Sequence, residues 1–320
     1  MTIQKPQRYR INDATRTFYQ EFSLKKSDFI LPLFINEFLS GEKEIKTLPG
    51  VKQFGLDSVL SEVERACNLG ISAVILFGIP KSKDKSASEA FNPKGVIQKA
   101  ISRIKKSFPH LIVIADCCLC EYTDHGNCYI HNHNHINFEE TLVTLGEIAV
   151  SYAKAGADII APSGMIDGKV SAIRKALDKQ NFPLVSIMSY AVKYASAFYG
   201  PFRDATDASD CSIDRRHHQM NPSQRLEAQI ECDLDLQEGA DSIIVKPISH
   251  YLDIVRDLKV KVNVPLIGYH VSGEYAMLKY AAQQGIVDEE SAFQELYLSL
   301  KRAGCSKIIS YYAKEMVGKL

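Results

Sequence analysis

The 320-residue sequence has no excess of either charge: Lys+Arg and Asp+Glu are both 38, for a formal net charge of +0. That removes the broad basic field by which a chain gathers nucleic acid or an anionic membrane surface, so an acidic ligand would have to be held by local charges. Long hydrophobic runs are missing too. Nothing approaches the ~18 continuous apolar residues of a spanning helix. The polar, basic N-terminus has no apolar run after it, so an ordinary secretory signal is not expected and the chain is assigned to the cytoplasm. No Gly-x-Gly-x-x-Gly follows the first apolar run, which disfavours a dinucleotide site. What is present is a globular mixture, 46% hydrophobic and 24% charged, in a chain long enough to bury a large core.

Eight short apolar runs recur, at 29–35, 71–77, 111–116, 157–161, 184–189, 241–246, 264–269 and 307–311. They are nearly continuous in Val, Ile and Leu, as strands covered on both faces must be. Helical patterns fill the gaps. Leu142, Leu145, Ile148 and Tyr152 make one stripe, and Leu226, Ile230 and Leu234 make another in a helix expected over 222–238, with Asn221 as its cap and Pro222 in its first turn. Gly70, Gly156, Gly239 and Gly304 each sit between a helical pattern and a strand, where a left-handed residue ends the helix. This alternation predicts an α/β chain folded as a (β/α)₈ TIM barrel over 29–320. Residues 1–28 read as an N-terminal arm outside it, and Phe18, Tyr19 and Phe22 suit an arm that docks on another subunit.

Catalytic groups of such a barrel sit at the C-terminal ends of its strands. Lys246 ends a wholly apolar strand. Burial there should lower the pKa of its amine, and a neutral amine can attack a ketone to form a Schiff base; the alternative is a lysine that snorkels to the rim. Lys193, just beyond the neighbouring run, would add a second positive charge that disfavours protonation of either amine. Other strand ends lead to Asp116, Ser163, Asp167, Tyr199, Tyr269, Ser272 and Tyr311. Eight cysteines in a reducing compartment are expected as thiols or metal ligands, and Cys118, Cys120 and Cys128 directly follow the third strand in the pattern Cys-x-Cys-x₇-Cys. Three thiolates can hold Zn²⁺ with a fourth position open, the mark of a catalytic site. His125, His131, His133 and His135 could add ligands, although alternating His and Asn also suit a polar loop. Cys117 is expected to face the barrel wall. Arg203, Arg215 and Arg216 lie in a long stretch, 198–221, of the kind that forms a lid, and their guanidinium forks suit a carboxylate.

The motifs Asp116-Cys-Cys-Leu-Cys-Glu-Tyr-Thr-Asp-His-Gly-Asn-Cys128, Ala161-Pro-Ser-Gly-Met-Ile-Asp-Gly168, Ser189-Tyr-Ala-Val-Lys-Tyr-Ala-Ser-Ala-Phe-Tyr-Gly-Pro-Phe-Arg-Asp204, Ile244-Val-Lys-Pro247 and Tyr269-His-Val-Ser-Gly-Glu-Tyr-Ala-Met277 occur in this order. By them the chain resembles the δ-aminolevulinic acid dehydratase (porphobilinogen synthase) family along nearly its whole length. The resemblance implies a lyase of tetrapyrrole and haem biosynthesis that joins two molecules of 5-aminolevulinate into porphobilinogen with loss of two waters. It implies that Lys246 binds the first substrate as a Schiff base and that Ser272 and Tyr311 hold its carboxylate. Lys193 would engage the second substrate, whose carboxylate Arg203, Arg215 and Gln219 would hold. Asp116 and Ser163 would lie near the reacting amine and ketone, with Tyr199 and Tyr269 lining the site. The three cysteines imply the zinc-dependent branch, Glu231 matches a ligand of an allosteric Mg²⁺ site of some members, and a homo-octamer with wrapped arms is implied.

Three departures from the family pattern stand out: Gly164 in place of aspartate, Ile248-Ser249-His250 after Lys246-Pro247, and Cys305-Ser306 before the eighth strand. Two other readings stay open on the residues alone. One is a class I aldolase-type barrel, which needs the strand-end lysine but not the second lysine or the thiolates. The other is a zinc-binding scaffold without catalysis.

Overall fold

The computed structural model describes residues 4–132, 135–206 and 216–320. Each of the eight apolar runs forms a strand: β1 Phe29–Asn36, β2 Ala73–Ile79, β3 Ile112–Cys117, β4 Ile159–Pro162, β5 Ser186–Lys193, β6 Ser242–Lys246, β7 Leu266–His270 and β8 Lys307–Ser310. Neighbours in sequence pair in parallel, and β8 returns to β1, with Phe29 opposite Ile308, to close the barrel. A closed ring leaves no strand edge, and the helices between strands cover the outer face, which is why the strands carry apolar residues on both sides. A small antiparallel pair, Glu42–Glu44 with Lys52–Phe54, extends from β1.

The repeated glycines do what their spacing predicts. Gly70, Gly156, Gly239 and Gly304 have φ of 102°, 105°, 107° and 130°, values that an L side chain rarely adopts, so each lets a helix stop and the next strand begin within a few residues. Leu145, Ile148 and Tyr152 of the helix Phe138–Ala155 are buried and Leu142 is half-buried, as their stripe requires.

The helix before β6 differs from its expectation. It spans Glu227–Gln237 rather than 222–238, and Asn221 accepts from the Ser223 N–H in a turn instead of capping it. Its inward face is Ala228, Cys232 and Asp235, while Leu226, Ile230 and Leu234 are exposed. Periodicity locates an apolar stripe but not the surface that it covers. Here β5 demands polar partners behind it, so the apolar stripe is left outside the single chain.

Those polar partners form a buried network. Lys169, 1% exposed, approaches Asp235 Oδ2 at 3.4 Å and donates to the Tyr190 carbonyl at 3.2 Å, and the Ser189 hydroxyl donates to the same Asp235 oxygen at 2.5 Å. The network backs an irregularity in β5. Ser189 lies opposite Ile243, but Val192 lies opposite Val245, so β5 has one residue more than its partner over this span. A bulge of this kind reverses the side-chain alternation.

The described part of the arm contains the helix Asp13–Phe18, whose cap Asn12 accepts from the Thr15 N–H at 2.9 Å. Ile11, Phe18 and Tyr19 are exposed. The arm joins the barrel through buried Asp28, 3.2 Å from Lys301 Nζ, and through the Ser27 carbonyl, which accepts from Lys307 Nζ at 2.6 Å. Among the described residues no helix is long and apolar enough to cross a membrane.

Asp235→Ala would leave the Lys169 ammonium buried without its counter-ion. Loss of one partner of a buried pair costs ~3–5 kcal/mol, so urea denaturation should show a drop of that size. A loss within the range of a surface substitution would contradict the role given to this network.

Candidate active site

The mouth of the barrel at the C-terminal strand ends brings the two lysines together. Lys193 is not beyond its strand, as the sequence suggested. It is the last residue of β5 and lies directly opposite Lys246, the last residue of β6. The run Ser189-Tyr-Ala-Val-Lys193 reads as mixed and loop-like in isolation, but pairing with β6 extends the strand through it.

Lys246 is buried among aromatic rings. Its Nζ lies 4.3 Å from the Tyr269 ring centroid, 5.1 Å from Phe202, and 5.3 Å from both Tyr190 and Tyr199. Burial, with the Lys193 charge adding to it, brings the amine down to about 7, against the opposing pull of Asp116 and Glu121. Lys193 Nζ donates to the Ser163 carbonyl at 2.5 Å, and the Ser163 hydroxyl donates to Asp116 Oδ2 at 2.9 Å. Burial holds the Asp116 carboxyl well above the ordinary range, with Glu121 and Cys118 adding and the two lysines opposing. Asp116 Oδ1 has no hydrogen-bond partner among the described residues.

Immediately after β3 the chain folds back so that Cys118, Cys120 and Cys128 meet, all buried. Cys118 Sγ is 3.3 Å from Cys120 Sγ and 3.4 Å from Cys128 Sγ. Tetrahedral zinc with Zn–S bonds of ~2.3 Å needs sulfurs about 3.7 Å apart, so the triad fits that ion after a slight expansion. Hydrogen bonding with the Cys120 and Cys128 thiols holds the Cys118 thiol well below its ordinary pKa, against the opposing effect of burial. Glu121 is buried next to it, with Oε2 3.2 Å from Cys120 Sγ. Cys117 faces the helix wall as expected, toward the Leu145 carbonyl at 3.7 Å. His125 and His131 stand apart from the triad, their rings 4.7 Å from each other, with Asn127 bonded to both. His133 lies outside the described residues.

A short segment closes over the lysines. After the turn Ala197–Tyr199, the helix Gly200–Ala205 drops Phe202 onto Phe77 (5.2 Å) and Phe34 (5.7 Å). Gln53 holds the segment's end by donating to the Ala205 carbonyl at 3.0 Å. Ser272 holds its start. The Ser272 hydroxyl accepts from the Phe202 N–H at 3.0 Å and donates to the Phe198 carbonyl at 3.3 Å. Gly273 beside it has no room for a side chain, since a Cβ there would sit 2.6 Å from the Phe198 oxygen. Tyr269 and Tyr311 share a hydroxyl contact of 3.3 Å, and the Tyr199 hydroxyl is taken by the Tyr194 carbonyl at 2.7 Å.

Not every residue from the sequence reading joins this group. Gln219 is buried, but Arg203 is exposed on its helix, and Arg215 lies outside the described residues. Glu231 is half-buried on the outer helix, where burial raises its carboxyl to about 7, Lys169 opposing and Asp167 adding. Four residues at or behind the mouth had been passed over: Tyr190, Glu121, Phe202 and Lys169. Tyr190 is three residues from Lys193, and strict alternation would put them on opposite faces; only the bulge turns both inward. The departures pack as units. Ile248 and Cys305 both fill the space over Gly268, His250 stacks on Phe198 at 4.8 Å, and any side chain at Gly164 would lean on Ile166 and Cys128.

The fold and the site define a lysine-centred (β/α)₈ barrel with a thiol triad at its mouth. A family model described as Delta-aminolevulinic acid dehydratase matches residues 3–319. The Delta-aminolevulinic acid dehydratase of Bacillus subtilis (strain 168) is 48% identical over 314 residues, covering 98% of this chain and 97% of the relative. That of Staphylococcus aureus (strain Mu50 / ATCC 700699) is 48% identical over 318 residues, covering 99% and 98%. The crystal structure of the Toxoplasma gondii ME49 enzyme, a porphobilinogen synthase in complex with its product porphobilinogen, superposes with a TM-score of 0.97 at 38% identity, covering 100% of this chain and 92% of the other. The chain belongs to the delta-aminolevulinic acid dehydratase family, a family of lyases.

Titration of the purified protein with Co²⁺ should give a thiolate-to-metal charge-transfer band. Cys118→Ser, Cys120→Ser and Cys128→Ser should each abolish it, and Cys117→Ser should leave it intact. A band that survives loss of any of the three would show that they are not the ligands.

Proposed function

We propose that this chain is a porphobilinogen synthase that condenses two molecules of 5-aminolevulinate to porphobilinogen, with loss of two waters, for tetrapyrrole and haem synthesis in the cytoplasm. The observation that carries the reading is the pair of lysines directly opposite each other at the ends of β5 and β6, one with its amine brought down to about 7. At neutral pH about half of such amines carry a free lone pair, whereas a solvent-exposed lysine is almost wholly protonated. Lys246 is the nucleophile for the first ketone. Lys193, which donates to the Ser163 carbonyl, would engage the second substrate, and Ser163 with the Asp116 it donates to would lie near the reacting amine and ketone.

Ser272 and Tyr311 take the first carboxylate. Ser272 is the group that now holds the closing segment, so substrate entry and movement of 198–206 are linked through one hydroxyl. Arg203, Arg215 and Gln219 receive the second carboxylate when the segment closes over it, and Tyr199 and Tyr269 shield the Schiff base from water. Cys118, Cys120 and Cys128 would hold Zn²⁺, which supplies Lewis-acid polarisation beside the second substrate. Glu231, with Asp167 near it, would hold an allosteric Mg²⁺.

The chain is proposed to act as a homo-octamer. The exposed apolar residues of the arm, 1–28, and the outward stripe of Leu226, Ile230 and Leu234 are surfaces that a monomer leaves in water. An apolar groove of about 920 Å³ on the outer helices, lined by Leu142, Val143 and Val150 among others, is a further such surface.

The test is incubation with 5-aminolevulinate, with pyrrole formation followed by colour and borohydride used to trap the adduct. Pyrrole should form, mass spectrometry should find the trapped substrate on Lys246, and Lys246→Ala should lose at least ~10³-fold in turnover. A chelator should abolish turnover and Zn²⁺ restore it. Turnover without any label on Lys246 would overturn the assignment, and absence of both would favour the scaffold reading.

A further inference from the structure

Tyr190 is a fully buried phenol at the floor of the mouth, and among the described residues no group lies within ordinary hydrogen-bond reach of its hydroxyl. Its ring lies 5.3 Å from Lys246 Nζ and 5.8 Å from Lys193 Nζ, yet Tyr190 Oη has no hydrogen-bond partner among the described residues. Buried hydroxyls are almost always bonded, and one that is not calls for a reason. Its placement is not an accident of packing. The bulge in β5 turns it inward, and Lys169 and Asp235 secure its backbone from behind. A second buried polar atom, Asp116 Oδ1, also lacks a close partner among the described residues, and the Asp116 carboxyl faces the phenol, raising its pKa after burial itself through charge and a weak hydrogen bond. Both residues neighbour the Lys246 amine, Tyr190 through its ring at 5.3 Å and Asp116 through its charge.

Resting on the Schiff-base reading above, we propose that the Tyr190 hydroxyl is the donor that binds the ketone oxygen attacked by Lys246. As the Nζ–C bond forms, the C=O π pair moves onto oxygen, and the proton shed by nitrogen ends on that oxygen to give the amino alcohol. The C–O bond then breaks, the oxygen leaves as water after taking one more proton from solvent, and the nitrogen lone pair forms the C=N bond. As the C=O π bond and then the C–O bond break, oxygen gathers negative charge next to a fixed, buried O–H, the setting in which such donors act strongly. The phenol is not consumed, and its ordinary function is to stay protonated. Phenylalanine at 190 would keep the ring that faces both lysines and remove only the donor.

The experiment compares Tyr190→Phe with the native enzyme in three readouts. Single-turnover trapping of 5-aminolevulinate on Lys246 should slow by about 10²-fold, the usual loss for one donor of this kind. The Tm should change little, because the hydroxyl removed has no partner within ordinary hydrogen-bond distance among the described residues. The Co²⁺ spectrum of the thiol triad should not move. Trapping at the native rate would overturn the proposal, as would a fall in Tm of several degrees, which would mark the hydroxyl as structural. Failure of the underlying reading looks different: the native enzyme itself would then leave Lys246 unlabelled.

Discussion

An ammonium buried without a counter-ion is one of the least favourable groups a fold can hold, and this barrel holds one at the end of β6 and sets a second cation opposite it. Desolvation disfavours the charged form of Lys246, and repulsion from Lys193 disfavours it again. Much of the mouth can be understood as a consequence. The aromatic wall of Tyr269, Phe202, Tyr190 and Tyr199 excludes water while offering ring faces that tolerate a transient positive charge. Lys193 lies 5.8 Å from Tyr190 of that wall and donates to the Ser163 carbonyl, so the two amines have different surroundings. The same low polarity pushes the Asp116 carboxyl well above the ordinary carboxylate range, against the opposing pull of the two lysines.

Holding this arrangement requires structure outside the mouth. The bulge in β5 aligns Tyr190 and Lys193 on one face, and the bulge depends on the buried Lys169–Asp235–Ser189 network behind it. That network in turn explains the polar inner face of the helix Glu227–Gln237 and the apolar outer face that a single chain leaves uncovered. On the solvent side, Phe202 packs over the lysines as a plug whose backbone is fastened by Ser272, the residue proposed to receive a carboxylate. A chain of dependencies thus links a helix on the outside of the barrel to the protonation of one amine within it.

The parts of this that were legible in the sequence are those governed by local rules. Eight apolar runs and four terminating glycines were enough for the barrel, and Lys246, Asp116 and the three cysteines could be placed at strand ends by counting along the chain. Period-2 alternation failed at Tyr190 because a bulge depends on the partner strand, and it failed to carry β5 as far as Lys193 for the same reason. The stripe of Leu226, Ile230 and Leu234 is legible as a period, but the surface it faces is not, since periodicity has no knowledge of which side a polar network occupies. Lys169 was invisible because a lysine in the first turn of a helix usually lies in water. Glu121 follows a proposed ligand in sequence, and only the fold back from Cys118 to Cys128 shows that it is buried beside the thiols.

The account stands or falls on the free amine of Lys246, and the most direct measurement is its own titration. Competitive acetylation of the native protein, read at Lys246 by mass spectrometry across pH, should give a midpoint at about 7. In Lys193→Met the midpoint should move upward, because one of the two influences that lower it has been removed. A midpoint near that of an ordinary lysine, about 10.4, unmoved by that substitution, would contradict the account.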